Sequence, residues 1–216
     1  MQNALSRFLN WLQEELLPHS KDLSSFNLPH PEVQRPLPNS EAMVDRERAA
    51  YNPQEEMEKV KTRLPLLNNN QRAFFDSVMA ALNDDKSGRI FCLDAPGGTG
   101  KTFVLNCLLN ALRADGHICI ATAMSAVASQ LLEGGSTLHS KLKVVMVNYL
   151  SANQIMYQVP IDVNWDTFCN FTDACGTGKV VKQTILLLID EVTMGHRHIF
   201  EAIERSTLLL LEQSHT

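Results

Sequence analysis

The residues best equipped for chemistry lie in the stretch Ala95-Pro96-Gly97-Gly98-Thr99-Gly100-Lys101-Thr102. It has the make-up of a phosphate-binding loop, with Ala95 standing where the first glycine of that pattern belongs. Gly97, Gly98 and Gly100 let the backbone curl so that successive N–H groups converge on phosphate oxygens. A helix starting near Lys101 would aim its positive dipole end at the same anion. With Pro96 and Thr99 completing the nucleotide loop, Lys101 is the side chain that reaches the β- and γ-phosphates, and the Thr102 hydroxyl is a ligand for Mg²⁺. A loop of this kind needs an acidic partner at the end of another buried strand, and Ile185-Leu186-Leu187-Leu188-Ile189-Asp190-Glu191 supplies one. Asp190 would hold Mg²⁺ through water, and Glu191 would orient or deprotonate the attacking water. The alternative is that both acids simply open the next helix, where negative charge suits the first turn. Two carboxylates favour ATP hydrolysis over nucleotide binding alone, and no Asn-Lys-x-Asp signature for guanine occurs.

Two other stretches invite the same kind of reading and are set aside. Gly176-Thr177-Gly178-Lys179 repeats part of the loop, but Val180 follows where a hydroxyl is needed, and Phe171-Thr172-Asp173-Ala174 makes a poor strand. A hairpin or surface loop is expected there. His196 and His198 lie two apart and so do not share a helical face as zinc-binding pairs do; no metal beyond Mg²⁺ is expected.

The phosphate loop and its acids must be positioned by strands and helices, and the sequence supplies both. Arg89–Asp94 reads as a buried strand leading into the loop, Lys101–Ala114 as an apolar helix stopped by Asp115-Gly116, and His117–Ala121 as a second strand. Met124–Glu133 reads as a helix ended by Gly134-Gly135, and Thr184–Asp190 as a further strand. Ahead of these, Asn68–Asn70 offers a helix start, and Gln71–Asn83 places Phe74, Phe75, Val78, Met79 and Leu82 on one face. Alternation of strands and helices predicts an α/β domain with a parallel sheet covered on both faces.

Residues 1–64 differ in character. Seven of the nine prolines fall between Pro18 and Pro65, and the first glycine is Gly88. Ala4–Leu17 is a helix candidate ended by Pro18. His19–Pro38 is a proline-punctuated linker without regular structure, and Glu41–Arg63 is helical in pieces around Pro53. The expected organisation is therefore a leader over 1–64 and an ATPase domain over 65–216.

Composition sets the outer bounds. With 216 residues, 44% of them hydrophobic and 20% charged, the chain suits one globular domain and an appendage, not a disordered or fibrous protein. Its formal net charge of −5 gives no overall basic field, so nucleic acid would have to meet a local patch. Ile185–Ile189 is too short to span a bilayer, and Met1–Leu17, with Glu14 and Glu15, lacks a signal-peptide core. Five cysteines with no C-x-x-C spacing favour reduced thiols.

Taken in order, five blocks resemble the Pif-type DNA helicases of superfamily one. They are Asn68-Asn69-Asn70-Gln71, the Gly97–Thr102 loop, Ala121–Ala128, Gly134–Ser140 and Ile189–Met194. Asp190-Glu191-Val192-Thr193-Met194-Gly195-His196 is closest to the versions associated with Helitron transposons. The resemblance, over roughly Leu66–Arg205, implies a RecA-like fold and an ATP- and Mg²⁺-dependent motor. Such a motor moves five-prime to three-prime on single-stranded DNA and unwinds duplexes in repair, recombination, telomere maintenance or transposition. It also implies the nucleus. Gln71 resembles the family's adenine-reading glutamine; the alternative is an ordinary polar residue in the first turn of a helix. Thr122, Ser125 and the Gly135–Ser140 segment resemble its single-strand contacts, where small hydroxyl groups and loop N–H groups would bind backbone phosphates. His139 is open to stacking on a base or to a bland surface role. Lys141 and Lys143 form the small basic cluster nearby, which a solvated face would explain almost as well.

Two departures from the family pattern stand out. Val144–Val159 interrupts the resemblance, which resumes at Pro160, and is read as an in-frame insertion, such as a retained intron. After Arg205 the expected Gly-Asp-x-x-Gln block, arginine finger and second RecA-like domain do not appear. The expectation is that this polypeptide by itself binds ATP·Mg²⁺ weakly and does not unwind DNA. Rival readings are another P-loop ATPase or kinase, or a non-enzymatic nucleotide-binding remnant.

Overall fold

The structure is a computed structural model and describes residues 9, 12, 23–26, 28–30, 40–82, 90–151, 154–158, 167–169, 171–172 and 175–212. Its first long elements are two polar helices, α1 (Ser40–Ala49) and α2 (Pro53–Arg63). The Asn52 side chain caps α2 by accepting from the Gln54 N–H at 3.0 Å, and Pro53 fills the first turn, where no N–H is needed. Glu55 and Glu56 begin α2 while Lys61 and Arg63 end it, in the sense the helix dipole favours.

Helix α3 (Asn69–Leu82) opens on a reciprocal cap. The Gln71 N–H donates to Asn68 Oδ1 and the Asn68 N–H donates to Gln71 Oε1, both at 2.9 Å. Its apolar face buries Phe75 and Val78 against Cys107 and Leu108 of α4 (Lys101–Ala114), with Phe74, Met79 and Leu82 packed around them. Helix α4 ends at Asp115 and at Gly116, whose φ of 79° is left-handed backbone that glycine adopts without strain.

Three parallel strands follow in sheet order β2 (Ser136–Thr137), β1 (Ile118–Ala123), β6 (Thr184–Asp190). All six residues of the central strand are buried, which explains its unbroken run of small and apolar side chains. The pleat sends Cys119, Ala121 and Ala123 to one face, among Leu109 and Leu112 of α4 and Ala128 of α5 (Ala126–Leu131). Ile118 and Ile120 face the other way, among Leu138 and Leu142 of α6 (Leu138–Leu142), Val180 of α7 (Gly176–Lys182), and Ile199 and Ile203 of α8 (Arg197–Glu212). Each large aliphatic side chain so buried contributes roughly 1.5–3 kcal/mol. This is the expected α/β architecture of a RecA-like P-loop domain, with helices on both faces of a parallel sheet.

The stretch expected to be an insertion, Val144–Val159, contains an antiparallel hairpin of β3 (Val144–Ser151) and β4 (Gln154–Gln158). Val144 and Val145 also pair with β5 (Phe168–Cys169). Helices α1 and α2 lie directly on the rest of the molecule. Val44 joins the core beneath α7 and α8, Arg48 Nη2 donates to Gln183 Oε1 at 2.7 Å, and α2 runs against α4.

Several expectations are corrected. Arg89–Asp94 is not a strand where it is described: residues 90–94 join no sheet, and Ile90 is 96% exposed. An apolar run supplies neither a ladder partner nor a covering face by itself, and among the described residues β6 and β2 remain the two edges of the parallel sheet. Gly176–Lys179 is neither hairpin nor loop but the start of α7. The Cys175 thiol accepts from the Gly178 N–H at 3.3 Å, and Gly176 sits so close to Met43 that a Cβ would lie 2.2 Å from its sulfur. Helix Met124–Glu133 shortens to α5 because Ser125 stays extended and caps it. The linker His19–Pro38 contains one short 3-10 turn, Leu23–Phe26, with Leu23 buried against Leu9. The Ala4–Leu17 helix otherwise lies outside the described residues, in which only Leu9 and Leu12 of that stretch are helical.

All five cysteines are free: Cys107, Cys119 and Cys169 are buried, Cys175 is half-buried, and Cys92 is exposed. Burial pushes the Cys119 and Cys169 thiols up to about 12. Among the described residues no helix is long and apolar enough to cross a membrane.

Candidate nucleotide site and strand interface

The loop 95–100 is shaped by its glycines. Gly98 (φ 75°) and Gly100 (φ 81°) both adopt left-handed backbone, and a Cβ on Gly97 or Gly98 would meet nothing within 4 Å, so this wall of the loop is open. Thr99 Oγ1 donates to Pro96 O at 2.8 Å and closes the turn. Gly100 gives α4 no side-chain cap, which leaves the helix's first N–H groups as donors for an anion. The Lys101 ammonium lies over the same loop, donating to Ala95 O at 2.5 Å and to Pro96 O at 3.0 Å.

Asp190 ends β6 beside the loop. Thr102 Oγ1 donates to Asp190 Oδ2 at 3.3 Å, and the Glu191 N–H donates to Asp190 Oδ1 at 2.8 Å, so both carboxylate oxygens are oriented. The hydroxyl and carboxylate oxygens form a hard donor pair. Hard oxygen donors of this kind are the ones Mg²⁺ prefers, so the residues fit that ion. Glu191 is exposed and holds left-handed backbone (φ 56°, ψ 40°), an unfavourable state for a residue with a side chain, of the sort found at working sites. The acids do not open a long helix. A short 3-10 turn (Val192–Met194) follows them, and α8 begins only at Arg197.

Gln71 is a first-turn residue of α3 whose side chain makes two contacts. Its Oε1 closes the cap on α3, while its Nε2 donates to Thr99 O at 2.9 Å. The side chain therefore rests on the phosphate loop, with Nε2 2.8 Å from where a Cβ on Gly100 would stand.

The sheet register sets the proposed strand-contact residues relative to this site. Asp190, Ala123 and Thr137 are neighbours in one row at the carboxyl ends of β6, β1 and β2, the edge where open parallel sheets bind ligands. Ser125, His139, Ser140 and Lys141 follow directly after β1 and β2 at that edge. Their availability differs. Thr122 is fully buried and donates to Leu188 O at 2.7 Å, so its hydroxyl ties β1 to β6 and faces no surface. Ser125 Oγ accepts from the Ala128 N–H at 3.1 Å as the cap of α5. Half-buried His139 has its pKa lowered by desolvation, which favours the neutral ring, and Ser140 is exposed. Lys141 Nζ is paired with Glu47 of α1 at 2.5 Å.

Sequence reasoning missed the polar cluster behind the loop, where Asn106, Asn110 and Arg113 of α4 and Lys59 and Arg63 of α2 converge on Glu133. Burial opposes the Glu133 charge, but hydrogen bonds from Lys59, Asn110 and Arg63 outweigh it and hold the carboxyl at about 2. These groups come from distant parts of the chain, and no local pattern announces them. The helix start expected at Asn68–Asn70 takes the form of a reciprocal cap between Asn68 and Gln71.

Residues 66–216 match the model of a family described as PIF1-like helicase. No curated protein matches the chain.

Proposed function

The chain belongs to the PIF1-like helicase family, a family of ATP-hydrolysing superfamily-one helicases, and from that premise we propose that it couples ATP hydrolysis to five-prime to three-prime movement on single-stranded DNA. Its setting would be DNA repair, recombination, telomere maintenance or Helitron transposition, in the nucleus. The observation that carries the reading is the pairing of Thr102 with Asp190 beside a glycine loop that leaves helix N–H groups open. In this reading the N–H groups of residues 97–102 cradle the phosphates, and Lys101 exchanges a loop carbonyl for β- and γ-phosphate oxygens. Thr102 and Asp190 hold Mg²⁺, which when bound neutralises charge on the phosphates. Glu191, exposed beside Asp190, takes the proton of the attacking water. Gln71 presents an amide to adenine from its seat on the loop. Ser125, His139, Ser140 and Lys141, at the carboxyl edge of the sheet, meet the strand backbone without reading sequence.

The test is ATP turnover by the purified chain with and without an oligothymidine. Turnover stimulated by the oligonucleotide supports the proposal. Glu191→Gln should lower it by about 10²–10⁴-fold while leaving ATP affinity intact. Binding of ATP with no turnover under either condition would instead favour a nucleotide-binding module.

A further inference from the structure

Helix α4 starts at the phosphate loop and carries Asn106, Asn110 and Arg113 along one side, at the spacing of a helical face. All three grip one turn, Leu131–Glu133. Asn106 Nδ2 donates to Leu131 O at 2.9 Å, and Asn106 Oδ1 accepts from the Glu133 N–H at 2.9 Å. Asn110 Nδ2 donates to Glu133 Oε2 at 2.9 Å, and Arg113 Nη1 to Glu133 O at 2.8 Å. From that turn the chain passes through Gly134 and Gly135 into β2 and then α6, which bear the proposed strand contacts.

Glu133 is held from the other side by α2. Lys59 Nζ bonds Glu133 Oε2 at 2.8 Å and Glu56 Oε1 at 2.6 Å, and Arg63 pairs with Glu133 and donates to Asn110 Oδ1 at 2.9 Å. Asn110 Nδ2 also reaches Glu56 Oε2 at 2.7 Å, and both residues are almost wholly buried. The turn has little room to yield, because a Cβ on Gly135 would lie 2.2 Å from Ser129 O. The network is hydrogen-bonded from both α4 and α2, although the buried Arg113 Nε has no partner among the described residues, and loss of one member is felt by the others.

We propose that Asn106, Asn110 and Glu133 are positioning residues that lock the phosphate-loop helix to the turn feeding the strand-contact segment, so that ATP and single-stranded DNA change each other's affinity through this joint. Helix α2, which lies outside the residues matched by the family, is part of the lock. The inference rests on the functional reading above. Linkage makes the coupling reciprocal, so one ratio measures it: the Kd of a fluorescent ATP analogue without and with saturating oligothymidine.

The test compares the full chain with Asn106→Ala, which removes two bonds to the turn and leaves the Glu133 charge paired. In the unaltered chain the two ligands should shift each other's Kd by about 5-fold or more. In Asn106→Ala the ratio should fall close to one while each ligand alone binds within about threefold of its normal Kd, a change that mere loss of stability would not produce. Lys59→Met, which removes the half-buried ammonium that bonds Glu133 and Glu56, should reduce the ratio through α2 and serves as the second variant. Binding of both ligands with an undiminished ratio in the two variants overturns the inference. Failure of the unaltered chain to bind either ligand overturns the functional reading first, and the inference with it.

Discussion

Thr102 Oγ1 stands 3.3 Å from Asp190 Oδ2, although 88 positions separate the two residues in the chain. The fold has brought the start of one helix to the end of one strand and placed two hard oxygens side by side. Asp190→Asn should therefore weaken Mg²⁺-dependent binding of a fluorescent ATP analogue by about tenfold or more and leave binding in EDTA little changed. Equal loss in both conditions would show that Asp190 acts on the loop's shape and not on the ion.

Gln71 has two jobs that one substitution separates. Gln71→Glu keeps an acceptor for the Asn68 N–H, so the cap on α3 and the melting temperature should hold. It removes the donor to Thr99 O, and, if the amide reads adenine as proposed above, preference for ATP over other nucleoside triphosphates should disappear with it. Gln71→Ala also loses the bond from the Asn68 N–H, which should cost about 0.5–1.5 kcal/mol of stability, the net worth of one hydrogen bond.

Lys141 is engaged by Glu47 of α1, which competes with any phosphate for its charge. Glu47→Gln should tighten binding of a labelled oligothymidine at low salt. It should also steepen the slope of log K against log salt by about 0.7, the effect of one added contact to a single strand. An unchanged slope would place Lys141 outside the strand path.

Glu133 gives the stability a defined acid limb. Its folded pKa, about 2, lies below the ordinary value of 4.5, so its charged form stabilises the native state. That contribution is complete above the ordinary pKa and is lost as pH falls from there toward 2. Glu133→Gln should melt lower than the unaltered chain at pH 7, and the gap should close as pH falls through that window in thermal melts followed by circular dichroism.

The parts of this molecule legible in the sequence are those whose cause is local. The loop, the helix from Lys101 to Ala114 and the strand from Thr184 to Asp190 each carry their own glycines, periodicity or apolar run, and they form where those features place them. Ile90–Asp94 has an apolar run too, but a strand also requires a neighbour, which periodicity does not encode. The second glycine-lysine stretch misled for the opposite reason: tertiary contact with Met43, not turn chemistry, accounts for Gly176. Thr122 shows how type and position together can still misassign a hydroxyl, because its burial follows from lying in a strand covered on both faces. The cluster around Glu133 assembles groups from α2, α4 and the turn after α5, and each of its acids and bases would pass for surface charge in isolation.

The distribution of the cysteines makes the loop region open to direct observation. Cys107, Cys119 and Cys169 are buried, and burial keeps their thiols protonated. The Cys175 sulfur is engaged by the N–H groups of Thr172 and Gly178. Cys92, exposed three residues ahead of Ala95, is thus where a maleimide dye attaches first. A fluorophore there turns the native chain, without any engineered residue, into a reporter of what happens at the phosphate loop when nucleotide and strand arrive.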